Sequence, residues 1–204
     1  MSPDAALAVC RFLHDASAML VWGSSLYLWL LAAGDIGPTI GRRLRPFAVA
    51  AVALAAATTI IALPLETALI GDGWSYALDL PTIRDVVFDT SVGEAWQVQA
   101  VMAVILLGTL AVPTGIRPAA MAAASGLLLA ALALTGHAVM QDGWLGAAHR
   151  LNDAVHVLSA GAWLGALVPL LLILKRLGAS GEHRETIDAP VSYTHLTLPT
   201  IYSV

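Results

Sequence analysis

Four side chains of types that bind metal ions or balance their charge stand at matching positions in the sequence. His14, Glu66, His137 and His156 lie in four different apolar segments, each 19 to 21 residues from the charged cytoplasmic boundary of its segment. At a helical rise of about 1.5 Å per residue, all four are predicted at one depth, roughly 30 Å from the inner face of a membrane. Ionisable side chains within membrane spans mark function by default. The shared depth therefore predicts a metal site at the outer edge.

Two further candidate ligands flank these histidines. His149 precedes His156 by seven residues, and both share a face with Asp153 if the last helix extends outward. Met140 follows His137 by three residues. Imidazole suits copper in either oxidation state, and a thioether favours Cu(I). Each side chain alone has a structural alternative, since histidines can cap helix ends and methionine fills gaps between helices; the joint pattern favours a functional site.

The composition indicates an integral membrane protein. Of 204 residues, 58% are hydrophobic and 12% charged, and the mean hydropathy is +0.79. Each apolar run is near the roughly 20 residues that a helix needs to cross about 30 Å of hydrocarbon. The runs cover residues 5–33, 46–70, 95–113, 118–139 and 151–174. We therefore predict an all-α fold, a polytopic transmembrane helix bundle with five spans.

The basic residues predict the orientation of these spans. Seven fall on one side of the membrane, namely Arg42, Arg43, Arg45, Arg117, Lys175, Arg176 and Arg184, and three on the other, namely Arg11, Arg84 and Arg150. The side richer in Lys and Arg is expected to be cytoplasmic. The N-terminus is then periplasmic, and most carboxylates lie at or near the outer side, where they attract cations.

Some residues are expected to position helices. The longest outer connection, residues 71–93, contains YALDLPTIRDVVF, which is apolar enough to lie along the membrane interface. Ser91 and Glu94 have the spacing of a capping box for the next helix. Gly161 and Gly165 have the GxxxG spacing that lets helices approach closely.

The end of the chain differs from the rest. The last fourteen residues, VSYTHLTLPTIYSV, are polar and β-branched, contain no alanine, and are typical of translated sequencing-adapter read-through. We exclude them, with His195, from functional reasoning. We place a transmembrane domain at 1–189 and a non-native tail at 190–204, and we expect the natural chain to be longer.

The sequence lacks the motifs of several classes of function. Cys10 is the only cysteine, so the chain has no internal disulfide and no thiolate cage for zinc or an iron–sulfur cluster. No G-x-x-x-x-G-K-[ST] phosphate loop is present. No serine or cysteine nucleophile has a histidine and an acid at motif spacing. We therefore expect a non-enzyme that is not driven by its own ATP hydrolysis and has no nucleic-acid partner.

The histidine-bearing segments resemble the copper resistance D family of bacterial inner-membrane proteins over about residues 7–177. The similar segments are RFLHDASAMLVWG at 11–23, TSVGEAW at 90–96, TGHAV at 135–139 and LNDAVHVLSAGAWLGAL at 151–167. The resemblance implies a longer protein, with about eight spans of the hydrocarbon, linked to movement of copper between periplasm and cytoplasm. It suggests His14, His137 and His156 as the matching histidines. Gln99 departs from the family, whose members often carry arginine there, which argues against a bound anion or salt bridge at that position.

The leading hypothesis is copper transport across the bacterial inner membrane. An acidic outer surface gathers the ion, His14, His137 and His156 bind it, and Glu66 compensates its charge. Its partners are the copper ion and the lipid bilayer, with a periplasmic copper-binding protein as a candidate.

Two other hypotheses use the same residues differently. In a b-type membrane cytochrome, two of the histidines hold a haem iron. In a purely structural subunit, the histidines are interfacial side chains without a ligand. A haem absorbance band, stoichiometric copper or neither distinguishes the three.

Overall fold

Helices make up almost all of the described chain. The structure, a computed structural model, describes residues 1–32, 34–134 and 143–179. The α-helices are α1 (Pro3–Leu30), α2 (Ile36–Ile70), α3 (Leu80–Asp89), α4 (Ser91–Gly108), α5 (Arg117–Ala130) and α6 (Gly143–Ala179). Short 3₁₀ turns occupy Trp74–Tyr76, Thr109–Ala111 and Ala131–Leu134. These ranges contain no strand, so the predicted all-α fold is confirmed.

Five of the helical segments are long and apolar enough to cross a membrane. They are Pro3–Leu30, Ile36–Ile70, Ser91–Ala111, Arg117–Leu134 and Gly143–Arg176. The predicted five-span bundle is therefore confirmed. All five begin before their apolar runs, and the difference is largest for α2, at Ile36 instead of residue 46, and α6, at Gly143 instead of residue 151. Hydropathy marks the stretch that matches hydrocarbon, whereas backbone hydrogen bonding continues the helix through charged residues beyond it.

Helix α1 is the central element of the bundle. It packs against α2, α5 and α6, and α4 packs against α2 and α5. Small and branched side chains fill the space between these helices: Ala18, Val21, Val52, Ala55, Leu106, Met121, Ala124, Leu128 and Leu129. The Trp22 indole N–H donates to the Leu158 carbonyl at 2.8 Å, which joins α1 to α6.

The backbones of α1 and α6 approach each other closely where the two helices cross. A Cβ atom added to Gly23 would lie 2.7 Å from the Cα of Gly165, and one added to Gly165 would lie 2.8 Å from the Cα of Gly23. The Gly161 carbonyl is also in contact with this position. Small residues allow such contact between membrane helices. The predicted role of Gly161 and Gly165 in close packing is confirmed.

The start of α4 differs by one residue from the sequence prediction. Thr90 is the N-cap, and its Oγ1 accepts from the Gly93 N–H at 3.0 Å. The predicted capping box of Ser91 and Glu94 is therefore wrong, since Ser91 is already the first helical residue. Either hydroxyl can cap a helix, but the extended backbone that a cap needs falls on Thr90. A Cβ atom on Gly93 would overlap the Val86 carbonyl, so α3 sits directly against α4.

Candidate functional site

A polar cavity of about 250 Å³ opens between α1, α2 and α4. It lies towards the N-terminal end of α1 and the C-terminal end of α2. Its charged and polar walls include Cys10, Arg11, His14, Asp15, Glu66 and Gln99. Most other helix contacts in the bundle are apolar, so this cavity is where the described residues offer chemistry.

His14 is the most deeply buried ionisable group of the cavity, with 5% of its surface exposed. Its Nδ1 lies 3.2 Å from the Thr58 Oγ1 and 3.4 Å from the Thr59 Oγ1. The Ser17 hydroxyl donates to the His14 backbone carbonyl at 2.8 Å. The imidazole ring is thus held against α2. The Ser17 hydroxyl adds a hydrogen bond within the turn of α1 that carries His14.

The hydrogen bonds of the two threonines favour one position for the proton of the His14 ring, Nδ1. The Thr58 hydroxyl lies 2.8 Å from the Leu54 carbonyl, and the Thr59 hydroxyl lies 2.8 Å from the Ala55 carbonyl. Each hydroxyl has a single proton, which these carbonyls accept. The threonine oxygens can then accept from His14, which favours the tautomer in which Nδ1 donates. In that tautomer Nε2 keeps its lone pair, and it is buried with no hydrogen-bond partner among the described residues.

Arg11 and Glu66 form an ion pair at the rim of the cavity. The Arg11 Nη2 donates to the Glu66 Oε1 at 2.6 Å. The Arg11 side chain is 59% exposed and the Glu66 side chain 11%. The Arg11 side chain is therefore the exposed member of the pair, and the negative charge of Glu66 is balanced by it.

Cys10 and Asp15 add two further titratable groups to the cavity wall. The Cys10 side chain is buried, and its Sγ donates to the Thr58 carbonyl at 3.3 Å. Asp15 is half-buried. Cys10 precedes His14 by four residues, so the two side chains are neighbours on one face of α1.

Helix α4 closes the cavity with Trp96 and Gln99. The Trp96 indole N–H donates to the Thr59 carbonyl at 2.8 Å. This bond fixes α4 against the turn of α2 that holds His14. Gln99, the position that departs from the family resemblance, contributes a neutral amide to the wall.

Two of the predicted site residues meet at this cavity, but not at one depth. His14 contacts α2 at Thr58 and Thr59, whereas Glu66 lies seven residues beyond Thr59, roughly 10 Å along the helix axis. The long Arg11 side chain spans that difference. The equal depths were counted from charged residues as helix boundaries, yet α2 already runs through Arg45.

The remaining predicted ligands lie elsewhere or outside the described residues. His149 and His156 are both on α6 with exposed side chains, and His156 does not line the cavity although its neighbour Val157 does. Helix α6 begins at Gly143 and includes His149, as the predicted shared face with His156 requires. His137 and Met140 fall in 135–142, outside the described residues.

Within the described ranges, no three His, Cys, Asp or Glu side chains are grouped so that they could hold a metal ion. The three-histidine site therefore stays a prediction, because one of its members, His137, is not among those residues. Sequence reasoning missed the contributions of Thr58, Thr59 and Cys10. The spacing of four between Cys10 and His14 was the available signal for the thiol.

These features define a class: a polytopic membrane protein with a buried imidazole in a polar cavity near one end of its bundle. The family model "Copper resistance protein D-like, N-terminal domain" matches residues 1–147. The chain belongs to this copper resistance protein D-like family. No solved structure matches the chain.

Three relatives show how far the likeness extends. The chain is 31% identical over 176 residues to the inner membrane protein YebZ of Escherichia coli (strain K12), covering 85% of this chain and 60% of YebZ. It is 35% identical over 147 residues to the copper transport protein CutJ of Bacillus subtilis (strain 168), covering 66% of this chain and 26% of CutJ. It is 26% identical over 169 residues to copper resistance protein D of Pseudomonas syringae pv. tomato, covering 81% of this chain and 54% of that protein. The chain thus spans about half or less of two relatives and three fifths of the third.

Proposed function

We propose that this chain binds copper at the outer cavity as part of a protein that moves copper across the bacterial inner membrane. The observation that carries the proposal is the buried His14 Nε2, which has no hydrogen-bond partner in the part of the chain that the structure describes. Family membership supports copper as the ion, and the names of CutJ and of copper resistance protein D state that connection for those relatives. The name of YebZ supports the inner membrane as the location.

The energetics of His14 favour a ligand at Nε2. Leaving a buried hydrogen-bonding atom without a partner costs about 1 to 3 kcal/mol. A coordinated ion offsets that cost, and imidazole is a good copper ligand in both oxidation states. Metal-bound histidines commonly donate their other ring N–H to an oxygen that fixes the ring. Thr58 and Thr59 supply that oxygen here.

The orientation proposed for the chain places the cavity on the periplasmic side. The distribution of Lys and Arg favours a periplasmic N-terminus, and Arg11 marks the rim from which the ion enters. In this proposal the acidic outer surface raises the local concentration of cations. A periplasmic copper-binding protein is the partner that could deliver the ion.

The other predicted ligands complete the site in this proposal. His137 and Met140 follow α5 and its 3₁₀ turn, and His156 stands beside the cavity residue Val157. They remain predicted ligands, and His149 is expected to contribute less because it lies seven residues, about 10 Å, further out than His156. The chain acts by binding and passing an ion, not as an enzyme.

Copper titration of purified protein tests the proposal. His14→Ala should weaken copper binding at least about tenfold, ~1.4 kcal/mol, because it removes the buried donor. His149→Ala is the matched control and should have a smaller effect, since His149 lies about 10 Å further along α6 than His156. His137→Ala and His156→Ala, measured in the same series, test whether three imidazoles share the ion. Equal affinity of the wild type and His14→Ala, or a haem absorbance band, would contradict the proposed function.

A further inference from the structure

We propose that the cavity selects Cu(I), and that the Cys10 thiolate is its second ligand beside the His14 Nε2. The inference rests on the proposed function and adds to it the oxidation state of the ion and a ligand outside the histidine set. Both side chains belong to α1, and both line the same cavity.

The positions of the two side chains allow them to share an ion. Residues four apart on a helix have Cβ atoms about 5 to 6 Å apart and point the same way. Cys10 is 6% exposed and His14 is 5% exposed. An ion between the sulfur and the Nε2 would therefore be shielded from water by α1 and α2.

Thr58 contacts both proposed ligands. Its backbone carbonyl accepts from the Cys10 Sγ at 3.3 Å, and its side-chain oxygen accepts from the His14 Nδ1 at 3.2 Å. One residue of α2 thus orients the sulfur and the imidazole together. Sulfur bonded only to a carbonyl can rotate away from it when it loses its proton, whereas the imidazole keeps its bond to Thr58 while Nε2 coordinates.

Charge and ligand softness both favour Cu(I). A thiolate with charge −1, a neutral imidazole and Cu(I) with charge +1 form a neutral unit, whereas Cu(II) in the same place would leave one positive charge. An uncompensated charge away from water is costly. Thiolate is a soft ligand, and soft ligands select Cu(I). Glu66 is paired with Arg11, and Asp15 is the other carboxyl group of the cavity wall, so the choice of Cu(I) rests on ligand softness more than on charge.

The binding step releases one proton and transfers no electron. Cu(I) enters already reduced, the Cys10 S–H bond breaks, a Cu–S bond forms, and the Nε2 lone pair of His14 makes the second bond. The thiol proton leaves to water at the rim beside Arg11. The copper stays Cu(I) throughout.

The experiment uses the whole chain, purified in detergent and titrated with Cu(I) under anaerobic conditions against a chromophoric Cu(I) chelator. Cys10→Ser should weaken Cu(I) binding at least about tenfold, ~1.4 kcal/mol. X-ray absorption should show sulfur bound to copper in the wild type and none in the variant. Because Cys10 is the only cysteine, N-ethylmaleimide labels it alone, and Cu(I) should slow that labelling.

A relocated thiol is the matched control. The double variant Cys10→Ser with Ala6→Cys carries one thiol a turn further out, in the same buried cluster, and it should bind Cu(I) as weakly as Cys10→Ser. Rescue by the relocated thiol would overturn the inference. Serine keeps the hydrogen bond to the Thr58 carbonyl, but if Cys10→Ser fails to fold, the wild-type labelling decides: no protection by Cu(I) overturns the inference.

The results separate this inference from the proposed function. Weaker binding by His14→Ala with unchanged binding by Cys10→Ser, and no sulfur at the copper, would overturn the thiolate ligand and leave the copper site standing. Unchanged binding by both variants would overturn both. Weaker binding by both, with sulfur bound only when Cys10 is present, supports both.

Discussion

The two ends of α1 are packed in opposite ways. Near its N-terminal end, Cys10 and His14 face a polar cavity and α2. Further along, Gly23 lies against the backbone of α6, and beyond it α1 contributes to an apolar cluster without acidic or basic side chains: Tyr27, Ile36, Ile40, Leu44, Ala166 and Ile173. One end leaves room for a ligand, and the other leaves no room even for a methyl group.

The difference shows how a rigid contact can orient a distant ligand. Gly23 follows His14 by nine residues, which is two and a half turns at about 3.6 residues per turn. The two residues therefore lie on opposite faces of α1. Close contact of Gly23 with α6 fixes the rotation of α1, and that rotation directs His14 towards Thr58 and Thr59.

The largest effect is expected from adding a side chain where α1 crosses α6. Gly23→Ala places a Cβ atom 2.7 Å from the Gly165 Cα, so α1 and α6 must separate. Overpacking of this kind costs about 1 to 3 kcal/mol, which thermal unfolding in detergent should detect. Gly108→Ala is the matched control: it meets nothing within 4 Å and should be neutral or gain up to about 1 kcal/mol from helix propensity. Equal stability of the two variants would show that the crossing is looser than described.

A smaller effect is expected at the cavity end, and on binding more than on folding. Replacing both Thr58 and Thr59 by valine keeps their shape but removes the oxygens that hold the His14 Nδ1. Losing such partners of a metal-bound histidine typically lowers metal affinity about 10- to 100-fold. Thr67→Val is the control, because Thr67 is buried in the same helix and bonded to the Leu63 carbonyl. Copper titration should separate them; an equal loss in both would argue for a general effect on α2.

The smallest effect is expected in the connection between α2 and α4, which lies outside the two regions of α1 compared above. Asp79 caps α3 through its Oδ2, which accepts from the Thr82 N–H at 3.1 Å and from the Thr82 hydroxyl at 2.5 Å. These hydrogen bonds, the side-chain one first, lower the pKa of Asp79 below its usual value. A lowered folded-state pKa means that the cap stabilises α3 above the unfolded pKa and loses this effect as the pH falls through the folded one.

Hydrogen exchange at the start of α3 measures that cap. Asp79→Ala should exchange faster than the wild type at neutral pH, and the difference should shrink as the pH approaches 3, below the ordinary aspartate pKa of about 3.9. A difference that stayed constant down to that pH would show that the carboxylate is not the cap.

The spans were predictable from sequence, but the partners of His14 were not. Apolar run length gave five spans, and GxxxG spacing gave the α6 residues of the crossing, because both are local properties. Thr58 and Thr59 stand in an alanine-rich helix, and nothing local indicates which neighbour they face. That depends on how α1 and α2 are rotated against each other, a tertiary property.

Two sequence predictions placed residues wrongly, the shared depth of His14 and Glu66 and the cap of α4, and local sequence could not correct either. Depths counted from charged residues placed His14 and Glu66 level, but α1 ends at Leu30, before the charged residue used for His14, whereas α2 begins before Arg45, the one used for Glu66. His14 contacts α2 at Thr59, roughly 10 Å along the helix axis from Glu66. The cap of α4 moved from Ser91 to Thr90 because two adjacent hydroxyls can serve equally. Both groups of the Arg11–Glu66 pair were visible in the sequence, but only the fold brings them together.

The length of α2 makes the rim of the cavity sensitive to the thickness of the bilayer. Its 35 residues extend about 52 Å, well beyond a hydrocarbon layer of about 30 Å. The excess must be taken up by tilt or by projection into the headgroups. Glu66, four residues from the end of α2, then sits among headgroups in a thin membrane and deeper in a thick one. Longer acyl chains should draw the Arg11–Glu66 pair inward, whereas His14 of α1, which contacts α2 at Thr58 and Thr59 further from the end of the bundle, should be affected less.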